Sequence, residues 1–495
     1  MKKVRATPNS HTFPKAATGI EGLDDITGGG LPKGRTTLVV GSPGCGKTLL
    51  AMAFLAHGAT ACGEPGVCLQ FEETADKLAV NLSSLGLDLH ALSRRKKLLV
   101  DHVRIDRNEI EETGEYNLQG LFIRLGLAVE TVKAKRVVMD GIETLFAGLK
   151  DEAVLRSELR RLFGWLDDRN LTAVVTGERG DKTITRHGLE EYIADCVILL
   201  DHRVTTELST RRMRIVKYRG SSHGTDEYPF LIDDDGITMM PVTSLGLTHH
   251  APKERVSSGM PALDELLDGK GYYRGSSVLV SGTAGTGKSS IGARFAEAAC
   301  ARGESCLYFA FEESPSQIIR NMGSIGIRLD RHVKNGLLQF HAARPTSGGL
   351  EMHLAIMQKM IAKISPRAVV VDPLTSIFAT GNAHGAHLMF TRLIDFLKMR
   401  GITCVFTNLI AGGNFFTLTH EGVSSLMDTW ISLRLEQADS AEPKRVLSIV
   451  KSRGMAHSRA RHELIVKKGH LDLAALPIEA EPPPLQRKAR AGAGK

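Results

Sequence analysis

Two stretches of the sequence, GSPGCGKT at residues 41–48 and GTAGTGKS at residues 282–289, both fit the phosphate-loop pattern GxxxxGK[ST]. In such a loop the glycines allow backbone N–H groups to converge on phosphate oxygens, and the following helix offers its positive end. The lysine reaches the β- and γ-phosphates, and the final hydroxyl ligates Mg²⁺. A chance Gly-rich turn is the alternative, but each motif follows a strand pattern, precedes a helix pattern and has a twin. The sequence therefore predicts two Mg-ATP sites.

We assign nucleotide binding to residues within and directly after these loops. They are Gly44, Gly46, Lys47, Thr48 and Leu49 in the first half, and Thr283, Gly285, Thr286, Gly287, Lys288, Ser289 and Ser290 in the second. Within this set the hydroxyls of Thr48 and Ser289 are the predicted Mg²⁺ ligands.

The two loops belong to a duplicated domain. The segment from Thr18 to Thr48 aligns with the segment from Ser258 to Ser289, and later motifs recur in the same order at a nearly constant offset. Short apolar runs such as TTLVV (36–40) alternate with helix-like segments, which is typical of parallel sheets covered by helices. The predicted fold is α/β, with two tandem RecA-like P-loop NTPase domains, each a mostly parallel sheet covered by helices. The predicted boundaries are a basic N-terminal tail at 1–13, domains at 14–247 and 248–475, and a disordered basic tail at 476–495.

Composition narrows the function classes. No run is apolar enough for a membrane span, and the N-terminus lacks the apolar stretch of a secretory signal, so we expect a cytoplasmic protein without a membrane partner. The 7 cysteines form no CxxC pair, which indicates neither a zinc site nor a disulfide framework. The net charge of +8 is matched by the lysines and arginines of residues 1–15 and 485–495, so the body is formally neutral. Nucleic acid is therefore not an expected partner.

Acidic residues recur at matching places in both halves. Asp140 and Asp372 end the apolar strands RVVMD and AVVVD. A strand-end aspartate is often only a turn former, but its recurrence after each loop favours Walker B residues, which hold the water shell of Mg²⁺.

Two glutamates follow the second strand of each half, as Phe71-Glu72-Glu73 and Phe311-Glu312-Glu313. One carboxylate in each pair is predicted to orient or deprotonate the nucleophile in line with the γ-phosphate. The alternative is that a glutamate in a first helical turn complements the helix dipole. By analogy Glu72 and Glu312 are better placed for chemistry, whereas Glu73 and Glu313 are the candidates for the helix-dipole role. Glu312 is also a predicted metal ligand.

A basic motif, Lys-x-Arg-Gly-x-x-His, occurs in both halves. Phosphoryl transfer needs cations on the γ-phosphate, and a neighbouring subunit can supply them. A charged strand edge is the alternative, but it does not explain the preserved spacing to histidine. The predicted catalytic cations are Lys217, Arg219, Lys451 and Arg453, and the predicted nucleotide-binding histidines are His223 and His457.

These motifs together resemble the KaiC family of two-domain RecA-like ATPases, which includes the cyanobacterial circadian clock protein. The resemblance covers about residues 14–475 and also rests on IVKYRGSSHGTDEYPF (215–230) and VSSLMDTWISL (423–433). It implies a double-ring homohexamer with ATP between neighbouring subunits. It further implies a slow ATPase in the N-terminal ring and an autokinase and autophosphatase in the C-terminal ring.

By this resemblance the phosphoacceptors are Ser424 and Ser425, just before Asp428. The clock protein has Ser-Thr there, so Ser-Ser is a departure, and a plain polar loop is the alternative. The equivalent N-terminal positions are Glu191 and Tyr192, which fits one ring being a kinase and the other not. The extension that recruits an activator in the clock protein has no evident counterpart in the tail, so true circadian timing is not expected. A KaiB-like partner is left open.

Three functions compete at this point. The leading interpretation is a hexameric ATPase with serine/threonine autokinase activity and a nucleotide-dependent timing or signalling role. A RecA- or RadA-like DNA recombinase or ring helicase would share the core, but it should show basic, aromatic DNA-binding loops. The third interpretation is a nucleotide-gated scaffold that no longer transfers phosphate.

Overall fold

The computed structural model describes residues 13–103, 118–146, 152–180, 183–185, 193–205, 208–239, 251–347, 349–378, 383–410, 424–437 and 443–476. The chain divides into two compact units, residues 1–247 with residues 348–360, and residues 248–347 with residues 361–495. Apart from Phe13 and Leu476, the two predicted tails lie outside the described residues. In the described parts of the chain, every helix is too short or too polar to span a lipid bilayer.

The strands of the first unit are β1 (Lys15–Ala16), β2 (Leu31–Pro32), β3 (Thr36–Gly41), β4 (Gly66–Gln70), β5 (Leu98–His102), β6 (Arg136–Asp140), β7 (Thr172–Glu178), β8 (Cys196–Thr205), β9 (Leu208–Tyr218), β10 (Tyr228–Asp233) and β11 (Gly236–Met239). Its helices are Glu21–Thr27, Lys47–Ala61, Ala75–Ser83, Leu89–Arg94, Gln119–Val132, Ile142–Phe146 and Glu152–Asp168.

The main sheet of the first unit has the strand order β11-β10-β9-β8-β3-β7-β6-β4-β5 among the described residues. The neighbouring strands β8, β3, β7, β6, β4 and β5 are parallel to one another. The pairs β8–β9, β9–β10 and β10–β11 are antiparallel. Val39 packs in one hydrophobic cluster, whereas its neighbours Leu38 and Val40 pack in another. Because successive side chains of a strand point to opposite faces, β3 is buried on both faces, which requires helices on each side.

The second unit repeats this arrangement. Its strands are β12 (Arg255–Val256), β13 (Tyr272–Tyr273), β14 (Ser277–Gly282), β15 (Cys306–Ala310), β16 (Leu338–Ala342), β17 (Ala368–Asp372), β18 (Thr403–Leu409), β19 (Thr429–Glu436), β20 (Lys444–Ser452), β21 (His462–Lys467) and β22 (His470–Ala475). Its helical segments are Pro261–Leu266, Lys288–Ala301, Pro315–Ser324, Leu329–Lys334, a 3₁₀ turn at Pro345–Ser347, Leu350–Ile364, Leu374–Phe378 and Ala383–Met399; the beginning of Leu350–Ile364 groups with the first unit.

The second main sheet has the order β16-β15-β17-β18-β14-β19-β20-β21-β22 within the described residues. Its strands from β16 to β19 in this order pair in parallel, and the remaining pairs are antiparallel. The predicted fold class, two tandem RecA-like α/β domains with mostly parallel sheets, is confirmed. In both sheets the strand that leads into a phosphate loop lies at the centre.

The close packing around β14 leads to a stability prediction. A methyl group on Gly282 would stand 2.6 Å from the carbonyl oxygen of Leu433, inside the pairing of β14 with β19. We expect Gly282→Ala to lower the free energy of unfolding by about 1–3 kcal/mol, as overpacking does. Gly323→Ala is the control, because it meets nothing within 4 Å in the helix Pro315–Ser324. Urea unfolding of the full chain measures both, and equal stability of the two variants would contradict the prediction.

Candidate nucleotide sites

Each phosphate loop connects a fully buried strand to a long helix. In the first loop Gly44 and Gly46 have φ values of +73° and +100°, a region that favours glycine, and the helix begins at Lys47. In the second loop Gly285 and Gly287 have φ values of +76° and +95°, and the helix begins at Lys288. The backbone of both loops is therefore set by glycines at the same two places. Leu49 and Ser290, also assigned to nucleotide binding, are buried in these helices.

The loop lysines lie folded against their own loops. The Lys47 Nζ donates to the carbonyl oxygen of Gly41 at 2.8 Å, and the Lys288 Nζ donates to that of Thr283 at 2.7 Å. Burial lowers the pKa of Lys288, although the negative charges of Asp372 and Glu312 act in the opposite direction. The second loop is braced further by Thr286, whose hydroxyl donates to the same Thr283 carbonyl at 2.9 Å. Each ammonium group thus lies over the concave backbone of its loop, where phosphate oxygens would bind.

Both strand-end aspartates meet the hydroxyl residue of their loop. The Thr48 Oγ1 donates to an Asp140 carboxylate oxygen at 2.9 Å. The Ser289 Oγ donates to an Asp372 carboxylate oxygen at 3.2 Å. The described residues contain no cluster of three or more His, Cys, Asp or Glu side chains that could hold a metal by themselves. A hydroxyl beside a carboxylate suits Mg²⁺, which usually takes few protein ligands and completes its shell with phosphates and water.

The glutamate pairs precede the following helices instead of lying in their first turn. Those helices begin at Ala75 and Pro315, so neither Glu72 and Glu312 nor Glu73 and Glu313 lie in a first helical turn, which is where the helix-dipole alternative placed them. Partial burial and the charges of Asp140 and Glu178 raise the pKa of Glu72.

The two glutamates of each pair have different surroundings. Glu312 accepts a hydrogen bond from the Ser376 hydroxyl at 2.8 Å. In contrast, Glu73 accepts from Asn81 at 3.2 Å and Glu313 accepts from Asn321 at 3.1 Å, both exposed contacts with the next helix. The second glutamate of each pair therefore has a structural contact that is the same in both halves.

The phosphate loops lie at the carboxyl ends of the parallel strands. The basic motifs lie at the other edge of each sheet, where the parallel strands begin. Gly41 is aligned with Leu200 on β8, whereas Thr37 is aligned with Cys196, the residue opposite Tyr218. At about 3.3 Å per residue, the stretch from Thr37 to Gly41 measures roughly 13 Å. Lys217 and Arg219, on either side of Tyr218, are thus separated from their own loop by most of the length of a strand.

The second unit shows the same separation. Gly282 is aligned with Leu433, whereas Val278 is aligned with Thr429, the residue opposite Ser452. Lys451 and Arg453 flank Ser452, so they too lie at the edge away from their own loop. The histidines belong to this edge as well: the His223 ring stacks on Tyr218 with centroids 6.3 Å apart, and the His457 Nδ1 lies 3.4 Å from the Met455 carbonyl oxygen.

Ser424 and Ser425 lie beside the basic motif of their own chain. The Lys451 Nζ donates to the Ser424 carbonyl oxygen at 2.6 Å. One guanidinium nitrogen of Arg453 donates to the Ser425 carbonyl oxygen at 2.5 Å. Ser424 is half-buried and Ser425 is exposed. The predicted acceptors and the predicted cations therefore form one cluster, while Glu191 and Tyr192 of the first unit lie outside the described residues.

The charges that support the two basic motifs differ. In the first unit Asp195 pairs with Arg35 at 3.3 Å, and burial together with the charge of Asp195 raises the pKa of Asp167 to about 6. In the second unit Lys398 pairs with Asp428 at 2.9 Å. Each aspartate is therefore paired with a further cation, Arg35 in the first unit and Lys398 in the second, and the first unit has the carboxyl group of Asp167 in addition.

Several residues around the sites were missed by the sequence reasoning. The Thr176 hydroxyl donates to Asp140 at 2.5 Å, and the Thr407 hydroxyl contacts Asp372 in the same way. Both threonines follow the apolar runs AVV and CVF, so comparison of the repeats could have found them. Further polar contacts come from Gln70 to Asp140, from Tyr308 to Asp372, from Arg211 to the Gly44 carbonyl and from Arg445 to the Gly285 carbonyl.

Comparison with known proteins identifies the family. A profile of the KaiC ATPase family matches residues 16–244 and 256–474. The chain belongs to the KaiC ATPase family. The circadian clock protein KaiC2 of Synechocystis sp. is 50% identical over 471 residues, which cover 94% of this chain and 83% of that protein. The circadian clock oscillator protein KaiC of Parathermosynechococcus lividus is 38% identical over 481 residues, 94% of this chain and 88% of that protein. The circadian clock oscillator protein KaiC of Synechococcus elongatus is 36% identical over 470 residues, which cover 93% of this chain and 90% of that protein.

The duplicated loops predict two independent nucleotide sites per chain. Lys47→Ala and Lys288→Ala should each abolish one site, because each removes the ammonium group that lies against the carbonyl oxygens of its own loop. Equilibrium binding of a fluorescent ATP analogue measures the stoichiometry, with Lys33→Ala, an exposed surface lysine, as the control. Two sites per chain in either loop variant would contradict the assignment.

Proposed function

We propose that this KaiC-family ATPase binds Mg-ATP in both halves and works as a homohexamer with each nucleotide between neighbouring subunits. The observation that carries the proposal is the position of Lys217, Arg219, Lys451 and Arg453 at the sheet edge opposite their own loops. A cation that cannot reach its own loop can reach the loop of the next subunit when head-to-tail contacts close into a ring. The ATPase domains proposed for this assembly are residues 14–247 and 248–475.

The residues of each site would divide the work of hydrolysis. Thr48 with Asp140, and Ser289 with Asp372, would hold Mg²⁺, which when bound neutralises charge on the phosphates. Lys47 and Lys288 would bind the β- and γ-phosphates, and His223 and His457 would contact the neighbour's nucleotide. Glu72 and Glu312 would orient the nucleophile, Glu312 with its carboxylate already held by the Ser376 hydroxyl.

In the C-terminal half we propose transfer of the γ-phosphoryl group to Ser424 or Ser425. A bond forms between serine Oγ and the γ-phosphorus while the bond to the β–γ bridging oxygen breaks, ADP leaves, and Glu312 of the subunit that holds the ATP accepts the serine proton. Support comes from the backbone of both serines, which is held by Lys451 and Arg453. If Lys451 and Arg453 contact the γ-phosphate of the neighbouring subunit, they also bring the two serine hydroxyls close to it. The reaction then needs no encounter between separate molecules.

The product would act as a signal. A phosphoserine adds about −1.5 to −2 charge at neutral pH, which would compete for Lys451 and Arg453 and change the subunit boundary. Hydrolysis of the phosphoserine at the same place would reset the state, as in an autophosphatase. Since the relatives are named as circadian clock proteins, we propose a nucleotide-dependent timing or signalling role in the cytoplasm, with a KaiB-like protein as partner. The family assignment favours this role over DNA recombination.

Action between subunits can be tested with mixed rings. Arg219→Ala should lower N-terminal hydrolysis by up to about 10³-fold, as removal of an arginine finger does. Rings of equal parts Arg219→Ala and Lys47→Ala subunits should recover about a quarter of the N-terminal rate, since random mixing in a cyclic ring pairs an intact loop with an intact cation at that frequency. All subunits carry Lys288→Ala, so that only the N-terminal sites are measured.

Exposed Arg214 on the same strand, β9, supplies the control variant Arg214→Ala, which should retain the full rate. Mixing must be verified by native mass spectrometry. Verified mixed rings without recovery would show that the cations act within their own chain.

Phosphoryl transfer is tested by mass spectrometry of phosphopeptides after incubation with ATP. Wild type should carry phosphate on Ser424 or Ser425, and Glu312→Gln should lower the occupancy at least about tenfold, since general base catalysis typically contributes 10²–10⁴-fold. Ser324→Ala, at an exposed serine of the same unit, is the control and should behave as wild type. Phosphate at other positions only, or unchanged occupancy in Glu312→Gln, would contradict the assignment.

A further inference from the structure

The two Walker B aspartates are held by different chemical groups. In the second unit the Tyr308 hydroxyl donates to an Asp372 carboxylate oxygen at 2.7 Å. In the first unit the Gln70 side-chain amide donates to an Asp140 carboxylate oxygen at 2.9 Å. Both donors come from the strand that pairs in parallel with the Walker B strand.

The donors occupy different positions of these equivalent strands. Gln70 is aligned directly with Asp140, and the corresponding partner of Asp372 is Ala310. Tyr308 lies two residues before Ala310, on the same face of β15, because side chains alternate along a strand. The longer phenol spans this distance, whereas a shorter amide has to start from the position next to the aspartate.

Each half therefore combines one donor with one small residue. On β4 the pair is Cys68 and Gln70, and both are buried. On β15 the pair is Tyr308 and Ala310, also buried. A donor at either position fills the space beside the carboxylate, which leaves room for only a small residue at the other.

We propose that Tyr308 and Gln70 are positioning residues for Mg²⁺, and that the Cys68/Gln70 and Tyr308/Ala310 pairs are interchangeable ways to hold the Walker B carboxylate. The phenolic hydroxyl of a tyrosine is protonated at neutral pH, so Tyr308 is able to donate to the carboxylate.

Tyr308 holds the Asp372 oxygen that Ser289 does not contact, whereas Gln70 and Thr48 donate to the same oxygen of Asp140. In both halves the added hydrogen bond restricts the orientation of the carboxylate beside the loop hydroxyl. Groups that orient metal-binding residues in this way typically contribute 10- to 100-fold in metal affinity.

The proposal rests on Mg-ATP binding at the second site, and the test separates the two. Mn²⁺ replaces Mg²⁺, and its binding with an ATP analogue is followed by electron paramagnetic resonance in full-length protein that carries Lys47→Ala. Tyr308→Phe should weaken Mn²⁺ binding about tenfold, while nucleotide affinity measured in EDTA stays unchanged. Absence of metal–nucleotide binding in the Lys47→Ala parent would instead refute the proposed function.

Tyr272→Phe is the matched control. Tyr272 is also fully buried in the second unit, but its hydroxyl has no hydrogen-bond partner among the described residues. The control should bind Mn²⁺ as the parent does, and equal affinities in Tyr308→Phe and Tyr272→Phe would overturn the proposal. Loss of the ring contact cannot explain a difference, because Phe at position 308 retains the packing against Phe340.

A graft tests whether the two arrangements are interchangeable. Tyr308→Cys combined with Ala310→Gln transfers the β4 pair to β15 and should restore Mn²⁺ affinity to within about threefold of the parent. A folded graft that binds no better than Tyr308→Phe would overturn interchangeability. If the graft does not fold, the first site is tested instead, with Gln70→Ala in protein that carries Lys288→Ala. This variant should weaken Mn²⁺ binding at the first site about tenfold. Unchanged Mn²⁺ binding would overturn the proposal.

Discussion

The direction of the parallel strands is the constraint on which both sites depend. Because β3 and β14 run parallel to their neighbours, the loops at their carboxyl ends lie beside the ends of the Walker B strands. The contacts of Thr48 with Asp140 and of Ser289 with Asp372 follow from this alignment. The strands β8 and β19 run in the same direction, so they start at the edge of the sheet opposite the phosphate loops. The basic motifs are paired with these starts and lie at that same edge. The two parts of the proposed catalytic machinery thus lie at opposite edges of the sheet.

The duplication preserves this geometry but not all of its chemistry. The glycine conformations, the loop lysines and the threonines that contact the Walker B aspartates recur in both halves. The supporting groups differ, with Gln70 in one half and Tyr308 in the other, and with Asp167 where the second half has Lys398. Asp195 is paired with Arg35, whereas Asp428 is paired with Lys398, which comes from a different element of the domain.

The sequence predicted those parts of the sites that lie within continuous motifs. Loop glycines, the strand-end aspartates and the parallel sheets could be inferred because each depends on local spacing and apolar runs. The helix-dipole alternative for the glutamates could only be decided by where the helices begin, and a boundary of a few residues is not fixed by composition. Donors such as Tyr308 depend on register between strands that are far apart in the chain. Gln70 and Tyr308 differ in type and in position, so comparison of the repeats conceals their common contact.

The central claim is that each nucleotide is completed by the opposite edge of a neighbouring subunit. Electron cryomicroscopy of the full-length chain with Mg²⁺ and a non-hydrolysable ATP analogue tests it most directly. The account predicts a closed ring in which the γ-phosphate over Lys288 is contacted by Lys451 and Arg453 of the adjacent subunit, with Ser424 or Ser425 beside it. A nucleotide whose γ-phosphate is contacted by Arg453 of its own chain, or one bound to a chain without neighbours, would contradict it.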